Sequence, residues 1–177
     1  EELIKKLGFD IDNLTGSGSI LKSNGTKLAL AIFLQDNEVP EIQNERFNRN
    51  SPVTYALTIA DKESLPYIVL TKGSQIRLYC SEAGKGVGRK GRAETYFEIN
   101  LSLLPDDLAG YLSLIFSPEA LKRNGSIEQI IEDSHRFATE IGYRLRERIY
   151  NKAIPQLSTC LAKNQSGYDK PSKDQLD

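Results

Sequence analysis

The chain has 177 residues and a formal net charge of −1, and 39% of its residues are hydrophobic. This length suits one domain, and the hydrophobic content is too high for a disordered polypeptide. Two cysteines and one histidine exclude a disulfide scaffold, a four-thiolate zinc site and a multi-histidine metal centre. No apolar run approaches the roughly 20 residues that span a bilayer, and the first residues show no signal-peptide pattern. We therefore expect a cytoplasmic domain without a metal site.

The first third of the chain predicts a short helix followed by strands. Apolar residues at positions 3, 4 and 7 have helical spacing, and Gly8 is a residue type that commonly ends a helix. Residues 9–14 are consistent with a short strand, and Asn24-Gly25 indicates a hairpin turn between two more strands. The continuous apolar run at 28–34 has the length of a buried central strand.

The middle of the chain predicts a helix and then a β-hairpin. Ser51-Pro52 is a typical helix start, because serine caps free N–H groups and proline suits the first helical position. We expect this helix to end near Lys62. Residues 67–71 and 75–80 predict two antiparallel strands joined by a Lys-Gly turn, and residues 95–100 alternate as a further strand would.

The last part of the chain predicts helices. We expect one helix at 104–116, a short one after Ser117, and a long amphipathic helix of about 26 residues that begins at Ser126. Ser126 and Gln129 have the spacing of a capping box. The polar segment 164–177 is typical of a linker or tail.

This order of elements predicts an α+β fold with an α/β-like mixed sheet, followed by a helical C-terminal part. We divide the chain into a mixed-sheet domain at 1–101, a helical connector at 102–163 and a linker or tail at 164–177. A linker at this position suggests that a further domain follows in a longer protein.

The glycine-rich, basic stretch at 84–92, hereafter the basic segment, is the most unusual part of the sequence. Its glycines let a backbone approach a ligand closely, and its lysines and arginines are residue types that bind phosphate. It lacks the spacing of a P-loop, and it lies between strands rather than before a helix, which excludes a dinucleotide site. We expect salt-sensitive contacts with DNA phosphates from Lys85, Arg89, Lys90 and Arg92, with Arg77 adding a contact from its strand. The competing interpretation is a solvated, flexible hairpin loop.

The carboxylates do not identify a catalytic site. A magnesium-dependent nuclease needs an acid at one strand end and an acid-x-lysine triplet at the next, so that carboxylates hold the metal and lysine orients water. The apolar strand at 28–34 does not supply that triplet. The catalytic residues are therefore unknown. An active endonuclease stays an alternative, and its candidate residues are Asp10, Asp12, Asp36 and Glu38.

Several segments resemble the N-terminal region of large bacterial restriction-modification and phage-defence proteins that carry an adenine-specific DNA methyltransferase domain. They are LGFD at 7–10, SPVTYALTIADKESLPYIVLTKGSQIRLY at 51–79, GVGRKGRAETYFEINLSLLPDDLAGYLSLIFS at 86–117 and RLRERIYNKAIPQL at 144–157. PYIVLTKGSQIRLY is also similar to a hairpin found in nuclease-like domains of type I and type IIG restriction enzymes. The resemblance covers most of residues 1–161.

The resemblance implies a fold and a set of partners. Such proteins place a restriction-endonuclease-like, PD-(D/E)xK-related sheet domain first, then a helical connector, then the methyltransferase. Because the acid-x-lysine triplet is missing here, the resemblance implies a degenerate nuclease domain of a type IIG-like protein, retained for DNA engagement or for scaffolding. The implied partners are DNA and the methyltransferase domain that follows, without a membrane.

The activity implied for the parent protein is site-specific adenine methylation of DNA, with endonuclease cleavage as a further activity of such parents. The glycine-rich cofactor loop and the Asn-Pro-Pro-aromatic pocket of the methyltransferase are absent from this sequence. We therefore expect no cofactor and no catalysis in this fragment, whereas S-adenosylmethionine, and Mg²⁺ for cleavage, would serve the parent. A third alternative is a structural module whose long helix docks to the methyltransferase domain or to a partner subunit.

Overall fold

The structure is a computed structural model that describes residues 2–13, 17–84 and 91–165, with side chains described as far as residue 161. Within these ranges the chain forms one six-stranded mixed sheet, helices that pack on it, and a helical C-terminal part. This confirms the predicted mixed α+β class. Among the helices described, none contains an apolar stretch sufficient to span a lipid bilayer.

The strands lie in the sheet in the same order as in the sequence. β3 and β4 pair in parallel, and the other neighbouring strands pair antiparallel. The predicted central strand is β3, and the predicted hairpin is β4 with β5, so both predictions are confirmed. The strands are β1 (Asp10–Asn13), β2 (Ser19–Ser23), β3 (Thr26–Phe33), β4 (Tyr67–Lys72), β5 (Gln75–Cys80) and β6 (Tyr96–Asn100).

The helices begin and end largely where caps and turns predict. At the start of α2 the N–H of Thr54 donates to the Ser51 hydroxyl at 3.2 Å, which confirms the predicted cap. A π turn at Ile149–Ala153 connects α5 to α6. The α-helices are α1 (Glu2–Lys6), α2 (Pro52–Glu63), α3 (Tyr111–Ile115), α4 (Pro118–Leu121), α5 (Ser126–Arg148) and α6 (Ile154–Gln165).

Both faces of the sheet are buried, because alternate side chains of a strand point to opposite sides. On one face Leu30 and Ile68 pack in a core with Ala56 of α2. On the other face Ala31 and Val69 share a core with side chains from α1, α3, α4 and the first turns of α5. This two-sided burial explains why residues 28–33 of β3 and 67–70 of β4 form unbroken apolar runs.

The predicted helix at 104–116 is wrong. The chain makes a 3₁₀ turn at Asp106–Leu108 and only then the short helix α3. Pro105 precedes this turn in extended conformation, and Gly110, a poor helix former, separates it from α3. The apolar periodicity was produced by burial instead, since Leu112 lies in the core.

The predicted capping box at the start of α5 is also wrong. Ser126 is the first residue of the helix, and its hydroxyl donates to the carbonyl of Leu114. The N–H of Asn124 donates to the carboxylate of Glu128 at 2.8 Å. The long amphipathic helix itself is confirmed as α5.

The chain divides into two compact units, residues 1–135 and 136–177, of which the second is described as far as residue 165. Helices α3 and α4 belong to the first unit, because their apolar side chains complete one core of the sheet. The domain boundaries given above stay predictions. Of the predicted tail, residues 164 and 165 continue α6, and the rest lies outside the described residues.

Candidate nucleic-acid interface

The basic segment lies in the connection between β5 and β6. The structure describes residues 81–84 and 91–95 of this connection. Lys85, Arg89 and Lys90, three of the five cations predicted to bind phosphate, lie outside the described residues. The described ends of the connection therefore define where the basic segment joins the sheet.

Arg92 joins the two ends of this connection to helix α2. Its two terminal nitrogens donate to the two carboxylate oxygens of Asp61 in α2, each at 2.7 Å, and one of them also donates to the carbonyl of Ser81. The Ser81 hydroxyl in turn donates to the carbonyl of Leu65. We call this arrangement the Arg92 clamp. A paired guanidinium fork of this kind fixes geometry better than a lysine could.

The clamp neutralises the charge of Arg92. The hydrogen bond from Arg92 lowers the pKa of the Asp61 carboxyl, and the same bond raises the pKa of the Arg92 guanidinium. Both side chains remain partly exposed, so solvent screens the pair. Arg92, predicted to bind a DNA phosphate, is therefore already engaged by a carboxylate of its own chain.

Arg77 is engaged in the same way on the face of the sheet that packs on α2. Its Nε donates to Glu98 of β6 at 2.6 Å, a terminal nitrogen donates to Glu41, and the guanidinium lies 4.4 Å from the ring centre of Tyr96. Burial lowers the pKa of Arg77, but its polar neighbours outweigh burial and raise that pKa. The buried Tyr79 hydroxyl faces this guanidinium without hydrogen-bond geometry, and burial raises the pKa of Tyr79 to about 12.

Two adjoining cavities lie beside the clamp. They have volumes of about 310 Å³ and 460 Å³ and share Ser64, Pro66 and Glu82 as lining residues. Lys122 and Arg123 line the larger cavity; Lys122 pairs with Glu119, whereas Arg123 has no ion pair among the described residues. Sequence reasoning missed these two cations, for which the consecutive basic residues after α4 were the available signal.

The larger cavity is mixed in charge rather than cationic. Tyr67 lines it, and burial raises the pKa of the Tyr67 hydroxyl well above its ordinary value. Neighbouring Cys80, Glu128 and Glu82 raise that pKa further, because a negative charge disfavours the phenolate. A phosphate would therefore meet Arg123 in this cavity but also two carboxylates.

The four candidate acids of a nuclease do not form one site. Asp10 and Asp12 lie on edge strand β1, where Asp12 pairs with Lys22, and Asp36 is exposed after β3. Glu38 is only 2% exposed and lies beyond Asp36. Across residues 2–13, 17–84 and 91–165, no group of three or more His, Cys, Asp or Glu side chains is placed to hold a metal ion.

Glu38 has three hydrogen-bond partners within the fold, at the carboxyl ends of the parallel strands β3 and β4. One carboxylate oxygen accepts hydrogen bonds from the Arg46 guanidinium and from the N–H of Gln35, both at 2.8 Å. The ammonium of Lys72, the last residue of β4, donates to the Glu38 backbone carbonyl at 2.9 Å. This sheet edge is where α/β folds commonly place ligands. Here a hydrogen-bonded acid instead fastens the loop after β3.

Comparison with protein-family models, with curated proteins and with solved structures finds no match to this chain. The chemistry of the Arg92 clamp, of the neighbouring cavities and of Glu38 is thus the basis for a functional proposal. At Arg92, Arg77 and Glu38, charges that the sequence presents as available are held by partners within the fold.

Proposed function

We propose that this chain is a DNA-engaging accessory domain of a cytoplasmic, bacterial restriction-modification or phage-defence protein, with a restriction-endonuclease-like sheet and no catalysis of its own. The observation that carries the proposal is the Arg92 clamp, which fastens a glycine-rich cationic segment to the sheet and to α2. Fixing the ends of a segment reduces the conformational entropy that it loses when it binds a polyanion.

The phosphate contacts are assigned to Lys85, Arg89 and Lys90. Arg77 and Arg92 are removed from this set, because each is paired with carboxylates of the chain. Each lysine or arginine that neutralises a phosphate releases counterions, so the affinity falls as salt rises. Positional contacts of this kind carry no sequence information, and site recognition would belong to other parts of the parent protein.

The positions of the candidate acids support a role without catalysis. Glu38 is committed to Arg46 and Gln35, and the acids of β1 are on another strand at the sheet edge. The described residues do not fit a Mg²⁺ site, so no metal step is assigned to them. On this proposal S-adenosylmethionine and Mg²⁺ serve the parent protein, whose methyltransferase domain and DNA are the partners of this chain.

Fluorescence anisotropy of a labelled DNA duplex tests the proposal at two salt concentrations. We expect the double variant Arg89→Glu with Lys90→Glu to bind at least about tenfold more weakly than the unchanged chain, because two attractive contacts become repulsive. The slope of log affinity against log salt should fall by about two, one for each lost phosphate contact.

The matched control reverses two exposed cations elsewhere on the same unit, in Lys5→Glu with Lys6→Glu on α1. This control changes the net charge equally, so equal losses in both double variants would reduce the effect to overall charge and overturn the proposal. Unchanged affinity and slope in the Arg89 and Lys90 variant would overturn it too. Plasmid nicking with Mg²⁺ or Mn²⁺ that is lost in Asp36→Ala would favour the alternative endonuclease.

A further inference from the structure

Large apolar side chains form an exposed row along the helical part after residue 136. Between 43% and 64% of each residue in this row is exposed to solvent. Exposed apolar rows of this extent are uncommon on soluble proteins and mark interaction surfaces. We call it the apolar row, and its members are Phe137, Ile141, Leu145, Ile149, Ile154, Leu157 and Leu161.

The π turn keeps the apolar row on one side of the helix. In an α-helix, residues four apart lie on nearly the same side, whereas residues five apart are rotated by about 140°. Ile149 and Ile154 are five apart, but the N–H of Ile154 donates to the carbonyl of Ile149, so one wider turn separates them. Pro155 explains the wider turn, because it lacks an N–H and its ring crowds the carbonyl of Asn151. The row therefore continues into α6 over about 36 Å.

Cations follow the edge of this row. Residues 136–161 contain five Lys or Arg residues and two Glu residues. Glu140, Arg144, Arg148 and Lys152 succeed one another at intervals of four, which places them along one border of the apolar row, where Arg144 pairs with Glu140. Arg146 lies toward the opposite border, where its guanidinium lies 5.7 Å from the ring centre of Tyr143. The surface therefore combines an apolar centre with positive borders.

We infer that the apolar row docks an acidic amphipathic helix of another polypeptide. Such a helix would bury its own apolar side against the row and place carboxylates beside Arg148 and Lys152. This inference is independent of the proposed DNA contacts, which lie between β5 and β6. The partner is identified by chemistry: leucine-like residues at heptad spacing, flanked by Glu or Asp.

Charge also decides between the possible occupants of the row. In an antiparallel pair of copies, the border with Arg144, Arg148 and Lys152 would face itself, and in a parallel pair it would face Arg146. Both arrangements bring together borders of net positive charge, because Glu140 is outnumbered by the three cations of its border. DNA would satisfy the cations but leave the apolar side chains in water. An anionic membrane would favour cations on both borders and the polar face, whereas Glu140 lies on one border and Glu147 on the polar face here.

The test uses the full chain and two synthetic helical peptides of about four heptads, with leucine at the core positions. One peptide has glutamate and the other lysine at the flanking positions. We expect the glutamate peptide to bind, and the lysine peptide to bind at least about tenfold more weakly, in fluorescence anisotropy. Arg148→Glu with Lys152→Glu should reverse this preference, which a merely unfolded variant could not do.

Single substitutions locate the binding surface. Leu145→Asp should abolish binding of the glutamate peptide, because it puts a charge in the apolar row. Tyr143→Asp is the matched control, since Tyr143 is equally exposed on the same helix but lies off the row, and its affinity should be unchanged. Circular dichroism checks that both variants keep their helix content.

Several outcomes would overturn the inference. Equal affinity for both peptides would contradict the role of the cations. Binding of neither peptide, by a chain that keeps its helix content, would contradict the docking surface. Dimerisation of the chain in sedimentation that Leu145→Asp abolishes would assign the row to a second copy. Binding to phosphatidylglycerol vesicles or to a DNA duplex that the same substitution abolishes would assign it to a membrane or to nucleic acid.

Discussion

At the scale of single residues, a cation in the sequence is not yet a cation available to a ligand. Arg92 and Asp61 are 31 residues apart, and Arg77 and Glu41 are 36 apart. Each pair exists because strands and α2 bring distant segments together. The local composition of the basic segment gave no sign that Arg92 is held by a carboxylate.

The Arg92 clamp predicts an acid-dependent loss of stability. Because the folded pKa of Asp61 lies below its unfolded value, the pair stabilises the fold above that unfolded value and is lost as pH falls through the folded one. Asp61→Asn should therefore lower the melting temperature at neutral pH. The corresponding loss in the free energy of unfolding is at most about 1 kcal/mol, because the pair is partly exposed.

The difference between Asp61→Asn and the unchanged chain should shrink as pH is lowered below the ordinary pKa of an aspartate, about 3.9. Thermal melts followed by circular dichroism at pH values above and below this pKa measure it. A constant difference at every pH would mean that ionisation of Asp61 does not stabilise the fold. High salt should reduce the difference at neutral pH, because screening weakens an exposed pair.

The buried carboxylate of Glu38 predicts a larger effect on stability. Glu38→Ala leaves the N–H of Gln35 without its acceptor and Arg46 without its counter-charge, so we expect a loss of about 2 kcal/mol in the free energy of unfolding. Asp36→Ala is the matched control, because Asp36 is exposed, and it should change stability by no more than about 0.5 kcal/mol. Urea unfolding measures both, and equal losses would contradict a structural role for Glu38.

At the scale of elements, caps and turns with a strong local cause could be predicted from the sequence. Ser51-Pro52 begins α2, and the Gly73 turn, with its positive φ of 55°, joins β4 to β5. The break in the helix expected at 104–116 could not be predicted in this way. Its apolar spacing reflects side chains that reach a core from a short helix and irregular turns, and periodicity alone does not separate these cases.

Two glycines, one just before α5 and one within it, are predicted to respond in opposite ways to substitution by alanine. A Cβ on Gly125 would lie 2.2 Å from the carbonyl oxygen of Ala120, whereas a Cβ on Gly142 would meet no atom within 4 Å. Gly125→Ala should lower the free energy of unfolding by about 1–3 kcal/mol through overpacking against backbone. Gly142→Ala, in the middle of α5, should increase helix stability by about 0.5–1 kcal/mol.

Thermal melts of the two single variants are the measurement for these glycines. Each variant serves as the control for the other, because both make the same chemical change. Destabilisation by both would mean that α5 tolerates no added methyl group, contrary to the open surroundings of Gly142. Stabilisation by both would mean that Gly125 is not constrained by Ala120.

At the scale of the whole molecule, the fold was more predictable than the candidate site. The class of fold depends on local signals, such as the apolar run that became β3 and the hairpin that became β4 and β5. The site depends on which side chains meet across the fold. Glu38 in the polar loop after β3 gave no local sign of burial, and the consecutive residues Lys122 and Arg123 indicated local positive charge but not the cavity that they border.

The order of the strands also bears on how the chain folds. Because each strand pairs with its neighbour in sequence, β1 to β3 and β4 to β6 are two successive antiparallel meanders. The parallel pairing of β3 with β4 joins strands separated by residues 34–66 and requires the crossover through α2. Closing this longer loop costs more chain entropy than closing a hairpin. The β3–β4 pairing is therefore expected to form late in folding, after the strands within each meander have paired.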